Sequence, residues 1–265
     1  MDLFVFDVDG TLSYDDCPLM PEEKKQMDRL LARGNAIAIA SGRPQNGITK
    51  YLDELPASPL KFAICANGAE VYDATGRLLS RHVLTYADYL RIRRAYRTPR
   101  SVVYLYQGNV LASHDRSHFI DFELKGNRMS GLRDLNREPM GPKDPVTKVL
   151  VAAEPEDSAA LEKVLAPADL AAYNIVRSSP TFLEFVNKAV DKQTGVVFLR
   201  NMLRLPRESV HTFGDSMNDL LMIKEFDGTA MGNAMPAVKK AARRITKSVY
   251  EDGVGYALKT WFADD

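Results

Sequence analysis

The stretch Leu3-Phe4-Val5-Phe6-Asp7-Val8-Asp9-Gly10-Thr11 gives the strongest indication of the fold. Its first four residues are apolar, which predicts a strand buried on both faces. Because side chains alternate along a strand, Asp7 and Asp9 can point to one side just past its end, and Gly10 permits a tight turn there. Two adjacent carboxylates are costly unless a cation or a shared proton neutralises them. The stretch therefore predicts a metal site, with a polar turn after a core strand as the alternative.

Strands and helices alternate on the C-terminal side of this stretch. Pro21 suits the first turn of a helix, and residues 36–40 and 62–65 are apolar runs that predict buried strands. The residues between these strands that share one helical face are Ile48, Tyr51, Leu52 and Leu55. From Asp191 the alternation returns, with a helix over 193–202, a strand over 210–213 and a helix over 220–226. This order predicts a parallel sheet with helices on both faces.

The pattern between residues 82 and 184 is different. A helix over 85–97 is followed by a strand over 101–107 and by Gly108-Asn109, which suits a hairpin turn. Strand 147–153 comes next, and Pro155 then opens a helix that carries Leu161, Val164 and Leu165. We predict an α/β protein: a Rossmann-like parallel-sheet core formed by residues 1–81 and 185–265, with an inserted α+β cap domain at 82–184.

Composition and charge exclude several classes of protein. Lys plus Arg and Asp plus Glu both number 35, for a formal net charge of 0, so no overall field attracts nucleic acid or an anionic membrane. No apolar run approaches the ~20 residues of a membrane span. Cys17 and Cys65 are too few for a disulfide framework. We expect a soluble, cytoplasmic protein, a monomer or small homo-oligomer, that binds neither nucleic acid nor a membrane.

Three further groups of polar residues follow predicted strands or open a predicted helix. They are Ser41-Gly42-Arg43, Lys192 and Gly214-Asp215-Ser216-Met217-Asn218-Asp219. Ligands of open α/β sheets bind beyond the carboxyl ends of the strands, where these groups would meet. If a helix begins near Ser216, Asp215 and Asp219 both face the site from its first turn. Several carboxylates without His or Cys form a hard oxygen site, which favours Mg²⁺ over zinc.

The same groups can hold a phosphoryl group. The Ser41 hydroxyl can bond a phosphate oxygen, and Gly42 lets a backbone N–H come close to it. Lys192 adds its positive charge at the start of a helix. Phosphoryl transfer depends mostly on such electrostatic stabilisation. Each group also has a structural interpretation: an ordinary loop at Ser41, a solvated lysine at Lys192, and a helix cap with an exposed acid at Asp215 and Asp219.

Together, in this order, the groups are similar to the four motifs of the haloacid dehalogenase superfamily. The resemblance covers the whole chain, and the insert falls between the second and third motifs, as in the Cof-type branch with a large α/β cap (class IIB). Lys188 competes with Lys192 for the third motif. Lys192 is preferred because Leu183-Glu184-Phe185 followed by this spacing is similar to the family's pattern.

The resemblance implies a Mg²⁺-dependent phosphatase. Asp7 resembles the nucleophile that forms an aspartyl-phosphate, and Asp9 the general acid and base. The residues implied to bind phosphate or substrate are Thr11, Ser41, Gly42, Arg43, Lys192 and Asn218. The residues implied for the metal site are Asp7, Asp9 (through its main-chain carbonyl), Asp215 and Asp219, the last of which supports the metal or Lys192 from behind the direct ligands.

The resemblance also implies that the cap selects a small phosphorylated metabolite, with sugar phosphates first. One alternative is a phosphotransferase resembling the phosphomannomutases, which needs cap cations for a second phosphate. The candidate cations are Arg91, Arg93, Arg94, Arg97 and Arg100, although a solvated helix face explains them too. A non-catalytic metabolite-binding regulator ranks last, because Asp7 and Asp9 are both present.

Overall fold

The computed structural model describes residues 1–157 and 171–263. The strands are β1 (Leu3–Phe6), β2 (Ala36–Ala40), β3 (Lys61–Cys65), β4 (Glu70–Asp73), β5 (Leu78–Arg81), β6 (Leu84–Thr85), β7 (Ser101–Gln107), β8 (Val110–Ser113), β9 (Gly131–Asp134), β10 (Pro145–Val146), β11 (Lys148–Ala153), β12 (Tyr173–Arg177), β13 (Phe182–Asn187), β14 (Val210–Gly214), β15 (Asp227–Ala230) and β16 (Arg244–Ile245). The α-helices are α1 (Pro21–Ala32), α2 (Gln45–Leu52), α3 (Tyr86–Tyr96), α4 (His118–Gly126), α5 (Lys192–Met202), α6 (Leu220–Glu225), α7 (Pro236–Ala241) and α8 (Gly253–Trp261). Within the described ranges, no helix is both long enough and apolar enough to cross a membrane.

The chain forms two compact units. The first consists of Met1–Ser41, Ile48–Ser80 and Asp191–Asp265, and the second of Gly42–Gly47 and Arg81–Val190. The predicted boundary between residues 184 and 185 lies inside β13, which pairs with both β11 and β12. Because this pairing ties the whole strand to the second unit, the boundary falls after Val190 instead. The Gly42–Gly47 loop, predicted as part of the core, also groups with the second unit.

The first unit is built on an eight-stranded sheet in the order β16-β15-β14-β1-β2-β3-β4-β5. The strands from β16 to β3 are parallel, and β4 pairs antiparallel with β3. Every residue of β1 and β2 is buried, as expected for strands covered on both faces. Helix α1 packs against β2 and α8, and α5 packs against β3. The predicted α/β fold is confirmed, whereas strands β4 and β5 and helices α7 and α8 were not predicted.

The second unit has its own sheet, in the order β12-β13-β11-β7-β8-β9. Alternate residues of β7 enter two different apolar clusters: Val103 and Leu105 pack with residues of α3, and Tyr104 packs with Ile120 of α4. The sheet is therefore covered on both faces, because neighbouring residues of a strand point to opposite sides. The predicted hairpin at Gly108-Asn109 is present, with Gln107 opposite Val110. The predicted helix that begins at Pro155 lies outside the described residues from position 158 onward.

Candidate active site

The candidate site lies at the carboxyl edge of the parallel strands of the first unit. Asp7 follows β1, Ser41 follows β2, Asn67 comes shortly after β3, and Asp215 follows β14. Since β14, β1, β2 and β3 run parallel side by side, their carboxyl ends meet at one edge. The main chain joins these ends further, because the Asp7 amide donates to the Phe213 carbonyl at 3.0 Å.

A lysine between two carboxylates forms the centre of the site. Lys192, the first residue of α5, is fully buried. Its Nζ donates to Asp7 Oδ1 at 2.5 Å and to Asp219 Oδ1 at 2.6 Å. Asp7 is 4% exposed and Asp219 is 0% exposed. Buried charges of this kind are tolerated only when they are paired and hydrogen-bonded. The competing candidate, Lys188, is exposed in the second unit.

The close approach of α5 depends on Gly68. This residue has a φ of +100°, and a Cβ atom built on it would lie 2.1 Å from the Asp191 carbonyl oxygen. Asp191 caps α5 by accepting a hydrogen bond from the Thr194 amide. Only glycine allows both the left-handed backbone and this contact. The turn after β3 therefore sets the position of the helix end that carries Lys192.

Asp219 is held by hydrogen bonds to both of its carboxylate oxygens. Besides the bond from Lys192 to Oδ1, the amides of Asp215 and Ser216 each donate to Oδ2 at 3.0 Å. Helix α6 begins at Leu220, which confirms the predicted start of the helix over 220–226, so Asp215 and Asp219 lie before the helix and not in its first turn. Because Asp219 accepts from the amides before it, residues 215–219 form a closed turn. Asp219 therefore holds the Lys192 ammonium group and the main chain at Asp215 and Ser216 in fixed positions.

Asp215 lies near Asp7 and directly against the backbone of Gly10. One carboxylate oxygen from each of Asp7, Asp215 and Asp219 lies within 4.8 Å of the others. Gly10, with a φ of +88°, lies so close that a Cβ atom on it would be 2.4 Å from Asp215 Oδ2. Glycine is therefore required at this position, because the backbone is left-handed and because a side chain would clash with the Asp215 carboxylate.

The crowded carboxylates raise each other's pKa. Burial raises the pKa of Asp7 well above its usual value; Asp219 raises it further, and Lys192 opposes the shift. Burial, followed by the charge of Asp219, raises the pKa of Asp215 to about 7. Burial alone would lower the pKa of Lys192, but Asp219 and Asp7 raise it above its usual value. A further cation beside these acids would therefore be stabilised.

Two buried oxygens of the cluster suit a metal ion. Asp7 Oδ2 and Asp215 Oδ1 have no hydrogen-bond partner among the described residues. Oxygen donors without His or Cys are the ligands that Mg²⁺ prefers. A hard divalent ion fits this donor set because it would satisfy both orphaned oxygens and offset the mutual repulsion of the acids.

The remaining predicted residues occupy different surroundings. Asp9 is exposed, and its charge contributes to the raised pKa of Asp7 and Asp215. Thr11 is 1% exposed and its Oγ1 has no hydrogen-bond partner among the described residues. Gly42 and Arg43 belong to the second unit.

Asn67 connects two of the predicted groups and was missed by sequence reasoning. Its amide donates to the Ser41 carbonyl at 2.9 Å, and its Oδ1 accepts from Asn218 Nδ2 at 3.1 Å. It is buried, with a left-handed φ of 56°. The available signal was its position after the apolar strand β3, equivalent to that of Ser41 after β2.

Asn233 is a second residue that was missed. Its Nδ2 donates to the Gly10 carbonyl at 2.8 Å and lies 3.5 Å from Asp215 Oδ2. It therefore joins the turn after β1 to the turn after β14. Asn233 follows β15, so its place at the same sheet edge was the signal that could have identified it.

Three of the five arginines considered for a second phosphate pair with carboxylates of the second unit. Arg93 and Arg97 both pair with Asp115 at 3.1 Å, and Arg100 pairs with Asp157 at 3.1 Å. These pairs support a structural role for the arginine-rich segment. They provide no support for the mutase alternative.

Comparison with known proteins identifies the family. The family model of the haloacid dehalogenase-like hydrolases matches residues 4–258, so the chain belongs to this family. This confirms the predicted resemblance and makes the chain a member of a hydrolase family. Two Bacillus subtilis relatives, YitU and YcsE, are both named 5-amino-6-(5-phospho-D-ribitylamino)uracil phosphatase. YitU is 30% identical over 98% of this chain and 97% of its own, and YcsE is 28% identical over 98% and 95%.

Solved structures agree with the fold. A haloacid dehalogenase-like hydrolase from Bacteroides thetaiotaomicron is 30% identical, with a TM-score of 0.86 over 97% of this chain and 98% of its own. A HAD subclass IIB sugar phosphatase, 19% identical, has a TM-score of 0.79 over 99% of both chains. At that identity the second likeness shows the shared fold alone.

Proposed function

We propose that this protein is a Mg²⁺-dependent phosphatase that hydrolyses a small phosphorylated metabolite of the sugar-phosphate class through an aspartyl-phosphate on Asp7. The observation that carries the proposal is the Asp7 carboxylate, which has one oxygen bonded to Lys192 and the other buried without a hydrogen-bond partner among the described residues. Membership of the hydrolase family and the relatives named as phosphatases support this reaction.

Asp7 and Asp9 divide the chemistry between them. An Asp7 oxygen attacks phosphorus, the ester P–O bond breaks, and Asp9 gives its proton to the departing alcohol oxygen. A water molecule then attacks phosphorus while Asp9 takes a proton from it, which releases inorganic phosphate and restores Asp7. The exposed position of Asp9 suits a group that exchanges protons with a leaving group and with water.

The metal would be held by Asp7, Asp215 and the main-chain carbonyl of Asp9, with Asp219 supporting Lys192. When bound, Mg²⁺ supplies positive charge that offsets the negative charge of the phosphoryl group and of the acids. The two orphaned carboxylate oxygens of Asp7 and Asp215 support this choice of ligands.

The phosphate would be held by groups at the same sheet edge. Lys192 contributes a buried charge, and Ser41 and Thr11 contribute hydroxyls, the second of which has no hydrogen-bond partner among the described residues. Asn218 is oriented by Asn67 through a 3.1 Å hydrogen bond. Gly42 and Arg43, on the loop that follows Ser41, would contact the substrate. Such fixed donors stabilise the charge that develops during phosphoryl transfer.

The proposed substrate class follows from the names of two relatives and from the proposed role of the second unit. We propose that the second unit selects the substrate. The names of YitU and YcsE describe a phosphate on a ribityl chain, which is chemically a sugar-alcohol phosphate. This supports a phosphate ester of a small polyhydroxylated compound.

A substrate panel tests the proposal. The purified protein is assayed for phosphate release from aldose, ketose and sugar-alcohol phosphates and from nucleotides, with Mg²⁺ and with a chelator. We expect release from at least one polyol or sugar phosphate that disappears when Mg²⁺ is removed. Release only from nucleotides would overturn the substrate class, and no release from any compound would overturn the phosphatase proposal.

A further inference from the structure

A buried lysine of the second unit contacts the loop that follows Ser41. Lys148, the first residue of β11, is 2% exposed. Its Nζ donates to the Gly42 carbonyl oxygen at 2.8 Å and to Glu184 Oε2 at 3.0 Å. The same nitrogen lies 4.6 Å from the centre of the Tyr106 ring. Two of the three N–H donors of the ammonium group are thus hydrogen-bonded, and the charge also lies near the face of an aromatic ring.

The sheet register explains why these side chains meet. Lys148 is opposite Tyr106 on β7, and Leu150, two residues further along β11, is opposite Glu184 on β13. Residues two apart on a strand share a face, so Lys148, Tyr106 and Glu184 lie on one face of the sheet. The same face also carries the buried Glu123, which accepts a hydrogen bond from the Tyr106 hydroxyl, beside the apolar Leu150 and Ile120.

Packing alone does not account for a lysine at this position. Apolar side chains of similar size can usually replace a buried ion pair without loss of stability. The bond to the partly buried Gly42 carbonyl is different, because it ties the lysine to the main chain of the loop. By fixing this carbonyl, Lys148 fixes the plane of the peptide that joins Gly42 to Arg43, since the peptide unit is rigid.

The other end of the loop is also held by the second unit. The Asn46 amide donates to Asn109 Oδ1 at 3.0 Å, and Asn46 Nδ2 donates to the Arg128 carbonyl at 3.0 Å. Asn109 Nδ2 in turn donates to Gln45 Oε1 at 3.2 Å. The loop over residues 42–47 is thus attached at both ends, and Arg43 lies between the two attachments.

We propose that Lys148, paired with Glu184, is a positioning residue that orients the Gly42–Arg43 segment for substrate binding. The inference rests on the proposed function, in which Gly42 and Arg43 contact the substrate. Lys148 acts through the Gly42 peptide and does not touch the substrate itself. The geometry of this loop thereby contributes to the proposed binding.

Three variants separate positioning from stability. Lys148→Met leaves Glu184 buried without its cation and is expected to lower the thermal midpoint. The double variant Lys148→Met with Glu184→Gln removes both charges at nearly constant volume, while Glu123 keeps its hydrogen bonds from Tyr106 and Asn127. We therefore expect a folded protein that has lost the Gly42 contact. Glu184→Gln alone is the matched control, because it retains the Lys148 bond to Gly42.

Two measurements are made on the full chain. Hydrogen exchange of the peptide covering residues 42–47 reports the order of the loop, and steady-state kinetics on the best substrate of the panel report binding. For the double variant we expect at least tenfold faster exchange in this peptide and at least a tenfold lower kcat/KM, mainly through a higher KM. The Glu184→Gln control is expected to stay within threefold of the wild type in both.

The two measurements distinguish failure of the inference from failure of the proposed function. A folded double variant with unchanged exchange over residues 42–47 would overturn the positioning role, whatever the activity of the wild type. Faster exchange with kcat/KM within threefold of the wild type would overturn the link to substrate binding. If the wild type hydrolyses nothing in the panel, the proposed function fails, and the exchange measurement still tests the positioning of the loop.

Discussion

Lys192 is the residue that allows two buried carboxylates to share one site. It lies between Asp7 and Asp219 at hydrogen-bond distance from both, and all three side chains are buried. Without this charge, the raised pKa of Asp7 would rise further, since Lys192 is the charge that opposes the shift. The nucleophile proposed here must be ionised, so Lys192 would support the proposed reaction as well as the fold.

Replacing Lys192 with Ala should damage both activity and stability. The change leaves Asp7 and Asp219 as buried acids without a cation, and breaking a buried pair costs about 3–5 kcal/mol. We expect kcat/KM to fall by at least ~10²-fold, about 2.7 kcal/mol of transition-state stabilisation, together with a lower thermal midpoint. Steady-state kinetics and thermal denaturation measure the two effects.

The matched control is Lys188→Ala, four residues earlier. Lys188 is exposed, and surface substitutions usually change stability by less than about 0.5 kcal/mol. We expect near wild-type kinetics for this variant. A mild effect of Lys192→Ala combined with a severe effect of Lys188→Ala would show that the third motif had been assigned to the wrong lysine.

At the scale of elements, the turn after β3 fixes where α5 begins. Gly68 brings the turn against the Asp191 carbonyl, and Asn67 in the same turn bonds Ser41 and Asn218. One short turn therefore contacts the residues after β2, the residues after β14 and the start of α5. Its geometry sets the spacing between Ser41 and Lys192.

Gly68→Ala should be more damaging than Gly34→Ala. Both glycines have positive φ values, +100° and +82°, but a Cβ atom on Gly34 would meet nothing within 4 Å. The left-handed backbone costs about 1–2 kcal/mol for alanine at either position. The clash at Gly68 adds about 1–3 kcal/mol and displaces α5, so kcat/KM should fall as well.

Chemical denaturation of the two variants measures the difference in the free energy of unfolding. Gly34, at the end of α1, reports the backbone cost alone. Equal losses of stability in the two variants, with unchanged kinetics for Gly68→Ala, would contradict the role given to the turn.

Elements with a strong local signal could be predicted from the sequence. The run at 36–40 coincides with β2, and Pro21 opens α1 as expected. The start of α6 at Leu220 was predicted as well, but the turn before it was not, because it is closed by the hydrogen bonds that Asp219 accepts from the amides of Asp215 and Ser216. Asn67 and Asn233 follow β3 and β15 at the same sheet edge, but position alone does not reveal their roles, which arise from contacts between distant segments.

At the scale of the whole molecule, the acidic cluster couples stability to pH and to metal. Burial and Asp219 raise the pKa of Asp215 to about 7, above the usual value of a free aspartate. The folded state therefore binds a proton more tightly than the unfolded state does. This contribution to stability is fully present below about pH 4 and is lost as the pH rises through 7.

Mg²⁺ should reverse this loss, and more strongly at higher pH. The ion competes with a proton for Asp215, so its affinity should fall by up to about tenfold per pH unit below pH 7. A ligand of the folded state stabilises it by RT ln(1 + [L]/Kd). Because the Kd for Mg²⁺ is expected to be lower at pH 8, the rise in thermal midpoint on adding Mg²⁺ should be larger at pH 8 than at pH 6. Differential scanning calorimetry at fixed Mg²⁺ concentration measures both values.

Asp215→Asn provides the control for the metal prediction. The amide cannot titrate and is a weaker ligand, so both the Mg²⁺-dependent rise and its dependence on pH should largely disappear. An equal rise at the two pH values in the wild type would contradict the assignment of Asp215 as a metal ligand.

The most direct test of the covalent mechanism compares the wild type with Asp7→Asn on the best substrate of the panel. The substitution preserves the shape of the side chain but removes the nucleophile, so we predict a folded protein whose phosphate release is undetectable. Activity within about tenfold of the wild type, a difference of only ~1.4 kcal/mol in the barrier, would contradict catalysis through an aspartyl-phosphate on Asp7.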